Sequence, residues 1–243
     1  MVLGIMQPYL FPYIGYFQLV NAVDKFVFYD DVNFIKQGWI NKNRILAGGK
    51  DLIFTVPLKN QSSFVTINRT EINQQLYTAW KEKFLKTLCH SYSRAPHFDT
   101  AYSIIQSVLD AEHFNIGSLA AHSVMSVSAY LGIGTMFVNS SSIYENADLH
   151  STDRILDICK KEYADVYLNA IGGRELYDFE EFLSRGVQLK FIKTNPVVYP
   201  QFKAEFLPGL SIVDIMMFNE PEQIHGFLNY YETITQERQT QKN

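Results

Sequence analysis

The sequence predicts an α/β protein with a mostly parallel, Rossmann-like sheet and a helical insertion in the middle of the chain. Three observations lead there. Short apolar runs of strand length alternate with segments of helical period near both ends of the chain, the pattern of β-α-β units. Between them, residues 74–132 carry three successive helical patterns. The composition, 47% hydrophobic and 19% charged, is that of a chain that buries a core rather than a disordered one. At 243 residues, one domain spanning 1–243 is the expected organisation.

Val2 to Met6 is an apolar run stopped by Gln7-Pro8, which suits a buried first strand followed by a loop. After Pro12, the residues Ile14, Phe17, Leu19, Val20 and Ala22 recur at near-helical spacing, so a helix begins there. Lys25 to Tyr29 reads as a second buried strand leading into Asp30 and Asp31, and Leu52 to Val56 as a third after the Gly48-Gly49 turn. Leu76, Trp80, Phe84, Leu85 and Leu88 mark one helix of the insertion, with two more at Ala101–Leu109 and Leu119–Leu131. Strand character returns at Thr135–Val138 and Val166–Leu168, separated by a helix that Ser151 or Thr152 would cap. A further strand is expected at Val187–Ile192, helices at Ser211–Phe218 and Glu222–Tyr231, and a frayed end at residues 236–243.

Several function classes are excluded at this stage. The net charge is −4 and the basic residues are scattered, so no basic stripe suits a phosphate backbone, and nucleic acid is not an expected partner. No apolar run approaches the ~20 residues needed to span a bilayer, and MVLGIMQPYLF lacks the basic start of an export signal, so a cytoplasmic, not membrane-spanning protein is expected. Cys89 and Cys159 fall in helical patterns, where cysteine packs as a small hydrophobe. The six histidines show no HxH, HxxxH or HExxH spacing, so no zinc site is expected. His150, in a loop after a strand, is the best placed of them for proton transfer, but a capping or surface role suits it better and it is not taken as a site residue. No GxSxG is present, so a serine hydrolase lacks its nucleophile elbow.

Parallel sheets bind ligands beyond the carboxyl ends of their strands, so the loops 7–16, 30–44, 139–150 and 169–177 are the places to look. The first holds Gln7, Tyr9, Tyr13, Gly15 and Tyr16, with Gly15 able to admit a ligand to a helix N-terminus that favours anions. Aromatic packing of the loop on the sheet is the plainer alternative. The second gathers Asp30, Asp31, Lys36, Trp39, Asn41, Asn43 and Arg44. Paired carboxylates can hold Mg²⁺ or take a proton, and Arg44 can grip a phosphate or carboxylate with two parallel hydrogen bonds. A solvated acidic turn with a buried Trp is its bland counterpart. The loop Gly172-Gly173-Arg174 could bring backbone N–H groups and a guanidinium to an anion, or be an ordinary turn.

The run IMQPYLFPYIGYFQLVNAVDKFVFYDDVNFIKQGWINKNRIL resembles the opening signature of the WbqC-like family of bacterial O-antigen and capsule polysaccharide gene clusters. The likeness continues through SYSRAPHF, YLNAIGGRELYD and FLPGLSIVDIMMFN, and so covers nearly the whole chain. Matching positions include Gln7, Pro8, Tyr13, Gly15, Tyr16, Asp30, Asp31, Lys36, Trp39, Asn41, Arg44, Gly173, Arg174, Tyr177, Ser211 and Asp214. The chain departs from the pattern at His97, where an aromatic is expected, and at Asn169-Ala170, where Ser-Gly is expected, which weakens the Gly172-Gly173 loop as a binding element. A more distant likeness sets Tyr13-Ile14-Gly15-Tyr16 where nucleotidylyltransferases carry a HIGH motif. Tyrosine can donate to a phosphate oxygen but cannot supply a cationic imidazolium.

The resemblance implies a place in surface-polysaccharide synthesis rather than a particular reaction, and together with the loop residues above it leads to the expectation of a transferase acting on a nucleotide-activated or amino sugar, by acyl or nucleotidyl transfer. In that reading Asp30 and Asp31 are catalytic or hold Mg²⁺. Gln7, Tyr13, Gly15, Tyr16, Lys36, Trp39, Asn41, Arg44, Gly173, Arg174 and Tyr177 bind the small-molecule substrate. The alternatives are a non-catalytic sugar-nucleotide or glycan-binding accessory protein, and a scaffold for another pathway protein.

Overall fold

The computed structural model describes residues 1–59, 61–202 and 205–236. The strands of its main sheet are β1 (Val2–Met6), β2 (Lys25–Phe28), β5 (Met136–Val138), β6 (Val166–Ala170), β7 (Gln188–Thr194) and β8 (Tyr231–Ile234), in the order β5-β2-β1-β6-β7-β8. Every pairing is parallel except β7 with β8. The expected α/β fold with a mostly parallel sheet is therefore the one observed.

β1 lies at the centre because it is apolar on both sides, as a strand covered on two faces must be. Leu3 and Ile5 join one buried cluster, with Ile155, Leu156, Ile158 and Cys159 of helix α5 (Ser151–Lys161) and Phe182 of α6 (Phe179–Ser184). Gly4 points the other way, where a Cβ would meet the Phe26 ring at 3.0 Å, so the absent side chain lets that layer close on the sheet. This second layer holds α1 (Ile14–Asn21) and the helices α2 (Gln74–Tyr92), α3 (Phe98–Asp110) and α4 (Ile116–Tyr130), the expected insertion. It also takes in α7 (Ile212–Phe218) and α8 (Pro221–Leu228).

Several helix ends follow from local chemistry. The Asn115 side chain accepts from the Ser118 amide at the start of α4, Asp178 accepts from two amides of α6, and Ser211 accepts from the Val213 amide of α7. Glu220 and Gln223 form a capping box around Pro221. The cap position of α5, by contrast, is His150, with no side-chain bond, rather than Ser151 or Thr152.

Three expectations need correction. The third strand, expected at Leu52–Val56, is β4 (Lys50–Thr55), which pairs antiparallel with β3 (Lys42–Ala47) in a separate hairpin. Gly48 and Gly49, both at positive φ, form its two-residue turn, the geometry that matches strand twist. β3 lies partly inside what read as a loop because its Lys-Asn-Arg start hides a short apolar run. The helix expected to reach Tyr231 stops at Leu228, and β8 begins at Tyr231. Helix α6, only six residues long, gave no periodic signal. Of the frayed end, residues 237–243 lie outside the described residues. Among the described residues no helix is long and apolar enough to cross a membrane.

The chain runs from β1 to β2 on one side of the central strand, then returns from β5 through α5 to β6 on the other. That reversal makes the carboxyl ends of β1 and β6 a topological switch point, where ligands of open α/β sheets bind.

Candidate functional site

The loop after β1 is held in one conformation from three directions. Phe11 sits at φ 40°, a left-handed backbone rare for a bulky residue. The Ser123 hydroxyl accepts from its amide, while the Asn43 amide donates to the carbonyls of Leu10 and Phe11 and the Ser211 hydroxyl to that of Phe11. With Phe11 fixed, the next residues project outward. Tyr13 is 40% exposed, and its ring lies across the start of α1. A Cβ on Gly15 would stand 2.5 Å from that ring and 2.4 Å from the Thr194 hydroxyl. The open space above Gly15 is thus filled by the chain's own Tyr13, and Gly15 acts as its seat.

Trp39 reaches the same place from the loop after β2, backed by a hydrogen bond from the Leu10 amide to its carbonyl. It is 41% exposed rather than buried. Arg44 arrives on β3, its Nε donating to the carbonyl of Gly209 at 2.9 Å and its guanidinium 3.7 Å from Asp51. Gly209 is at φ +68°, a backbone that favours glycine, and a Cβ there would come within 2.8 Å of the Arg44 guanidinium and displace it. Tyr9, Pro12, Tyr13, Trp39, Asn43, Arg44 and Gly209 together enclose a cleft of about 270 Å³. Two exposed aromatic rings beside a half-exposed guanidinium are suited to a flat or sugar-like group that carries an anion.

The loop that supplies Gly209 runs from the end of β7 to α7 over a buried carboxylate. Asp214 accepts from the hydroxyls of Tyr92 and Tyr199 and from the Gln201 amide, each at 2.7 Å. Gln201 in turn bonds both the amide and the carbonyl of Leu207. Burial pushes the Asp214 carboxyl above its ordinary range, while the three donors pull the other way.

Asp30 and Asp31 form a different arrangement at the end of β2, against the 3₁₀ turn Ser141–Tyr144. Asp31 accepts from the Ser141 hydroxyl with one oxygen and from Arg154 with the other. Arg154 also donates to Asn146 and stacks 4.8 Å over the Tyr29 ring. Asp30 accepts from the Ser140 hydroxyl at 2.6 Å and the Ser141 amide at 3.2 Å, both on Oδ1, and no donor among the described residues reaches Oδ2. Its carboxyl is raised, chiefly by burial. Among the described residues no three His, Cys, Asp or Glu side chains gather as a metal cluster.

Of the residues expected at the site, the fold brings Tyr13, Trp39 and Arg44 to one cleft, with Gly15 beneath. Gln7 stands at the end of β1, where its carbonyl accepts from the hydroxyl of fully buried Tyr16. Tyr16 and Asn41, which bonds the Val56 carbonyl, are interior and hold loops together. Lys36 is exposed on the loop bearing Trp39. Gly173 makes room for the Asn169 amide, Arg174 stacks over Phe179 and Phe191, and Tyr177 packs edge-on to Tyr167 and Phe182. These three lie apart from the cleft, around the α6 layer. Cys159 is buried, its thiol pushed up to about 12, as expected of a packing cysteine. Sequence reasoning missed Gly209 and Pro12. Gly209 carries a turn signal, Pro208-Gly209, but nothing in the sequence pairs it with Arg44.

The fold and cleft define an α/β protein with an aromatic- and arginine-lined cleft at the carboxyl edge of a mostly parallel sheet. The family's sequence profile matches residues 7–226, and the chain belongs to the WbqC-like protein family. It is similar to the uncharacterized protein Rv1507c of Mycobacterium tuberculosis, with 30% identity over 230 residues, 93% of this chain and 97% of that one. No solved structure gives a significant match.

Proposed function

We propose that this protein is a transferase of bacterial surface-polysaccharide synthesis acting on a nucleotide-activated or amino sugar, by acyl or nucleotidyl transfer. The observation that supports it best is the meeting of Tyr13, Trp39 and Arg44 in one preformed cleft. Arg44 would hold a phosphate through its free N–H groups, with Lys36, exposed on the loop that carries Trp39, adding positive charge. Tyr13 and Trp39 would flank a base or sugar ring. Asp30, whose Oδ2 lacks a donor and whose pKa is raised, is the better of the two carboxylates to accept a proton or ligate Mg²⁺. Asp31 is neutralised by Arg154 and positions the loop.

A specific observation favours a second reading, a non-catalytic sugar-nucleotide-binding accessory protein. The residues lining the cleft include no carboxylate, histidine, cysteine, serine or threonine. Single-turnover product formation with a nucleotide-activated amino sugar separates the two.

A thermal-shift panel of nucleotides and nucleotide-activated amino and deoxy sugars, each with and without Mg²⁺, tests the shared premise. A ligand at about 100 times its Kd stabilises the native state by roughly 2.7 kcal/mol, readable in the melt. The expected result is a shift with one nucleotide class that disappears in Arg44→Ala. No shift across the panel, or one that survives in Arg44→Ala, removes the cleft from the reading.

A further inference from the structure

Tyr13 is a partition. On its far side a second chamber of about 390 Å³ opens between the start of α1, the end of β7 and the loop leading to α7, and both Tyr13 and Gly209 line the two spaces. The two chambers differ in chemistry. Arg44 faces only the first. Among the described residues the second is walled by Ile14, Val197, Val198, Phe206, Leu210 and Ile215, with Thr194 and Asn195 among its few polar side chains. Tyr199 also lines it, but its hydroxyl is bonded to Asp214.

We infer that the second chamber receives an aliphatic acyl chain of a ligand whose anionic end is held by Arg44. A nucleobase would bring hydrogen-bonding edges into walls that supply few partners, and burying them unpaired is unfavourable. A saturated chain has no such edges and gains from every methylene it removes from water. Continuity supports one ligand across both spaces, since a group gripped at Arg44 beside Gly209 needs only to pass Tyr13 to enter the apolar side. The seat on Gly15 keeps that ring at the junction. The inference rests on the proposed function only in taking Arg44 as the anchor for the anion, and it narrows acyl or nucleotidyl transfer towards the acyl alternative.

The test uses the full chain and the series acetate, butanoate, hexanoate and octanoate, in which the carboxylate head is constant and only the tail grows. Affinities are read by ligand-observed NMR. The expected result is a gain of about fourfold per methylene until the chamber is full. Val198, 67% exposed, lines the chamber without belonging to the core, so Val198→Asp keeps the fold and places a charge in the wall. That variant should flatten the series, while Arg44→Ala should weaken every member and keep the slope. A series flat in the wild type, or equally steep in Val198→Asp, overturns the inference. Nucleotide sugars titrated in the same variants keep the two ideas distinct, because their binding should be lost in Arg44→Ala and retained in Val198→Asp.

Discussion

Two clusters of charge stand at the carboxyl edge of the sheet, and they differ in what satisfies them. Around Asp31 the protein answers its own charge, since Arg154, Ser141, Asn146 and the Tyr29 ring take up the hydrogen-bonding capacity of the ion pair. Around Arg44 the answer is incomplete. One N–H meets the Gly209 carbonyl, Asp51 stands 3.7 Å away with 46% of its side chain exposed, and the remaining donors face a cleft. Charge density in a sequence does not separate these cases. A carboxylate whose partners are built in holds the fold, whereas a cation left half-answered beside exposed aromatic rings keeps donors that the proposed ligand would use.

The comparison breaks most visibly if Arg154 is dispensable. Its side chain is 5% exposed and that of Asp31 13%, so Arg154→Ala leaves a carboxylate buried without its cation. The expected cost is about 3–5 kcal/mol, measured by urea denaturation. A loss under about 1 kcal/mol would place the pair in the weak surface class. Arg44→Ala should do the reverse. Its ion pair is exposed enough that stability falls by no more than about 1 kcal/mol, while affinity for the anionic ligand falls by about 1.5–3 kcal/mol, roughly ten- to a hundredfold. Equal effects on melting and binding would erase the distinction between the clusters. Gly15→Ala sharpens it by moving the partition without touching a charge. With no room for a methyl group beneath Tyr13, the ring must shift, at an expected cost of about 1–3 kcal/mol in stability, and affinity for an aromatic or sugar ring should fall with it.

Much of the fold was legible because its signals are local. β1, α1 and β2 follow from an apolar run, a Pro-led helical period and a second apolar run within 28 residues. The Gly48-Gly49 turn is equally plain, yet the sequence assigns the strand after it to the main sheet rather than to the hairpin it forms, because a hairpin strand and a parallel strand look alike over five residues. β8 was missed for a related reason, since Tyr231 and Ile234 continue the helical spacing of α8. In the site, Tyr13, Trp39 and Arg44 stood out as polar and aromatic residues in loops where packing does not require them. Tyr16 and Asn41 stood out on the same grounds and proved interior, because a hydroxyl or amide that bonds a loop carbonyl looks the same in sequence as one awaiting a ligand. Gly209 was beyond reach, because its partner lies 165 positions away and only the fold joins them.

The smallest expected effect concerns the one carboxylate that belongs wholly to neither class. Asp30 is buried, bonded through one oxygen and, among the described residues, without a donor at the other, and its pKa is raised above 3.8, mainly by loss of water. A carboxyl whose folded pKa is raised binds its proton more tightly in the native state than in the unfolded chain. Its contribution therefore favours folding below 3.8, and that advantage is lost as pH rises through the raised folded value. Asn at this position keeps an oxygen for Ser140 and the Ser141 amide and carries no charge to bury. Asp30→Asn should thus gain stability relative to the wild type as pH rises from 3.8 to neutrality, most visibly in melts compared at the two ends of that window. If Asp30 takes a proton during the reaction, the same variant loses turnover while its melting point at neutral pH holds or rises. A variant that instead melts lower at neutral pH would show the carboxylate to be structural, the counterpart of Asp31 rather than of Arg44.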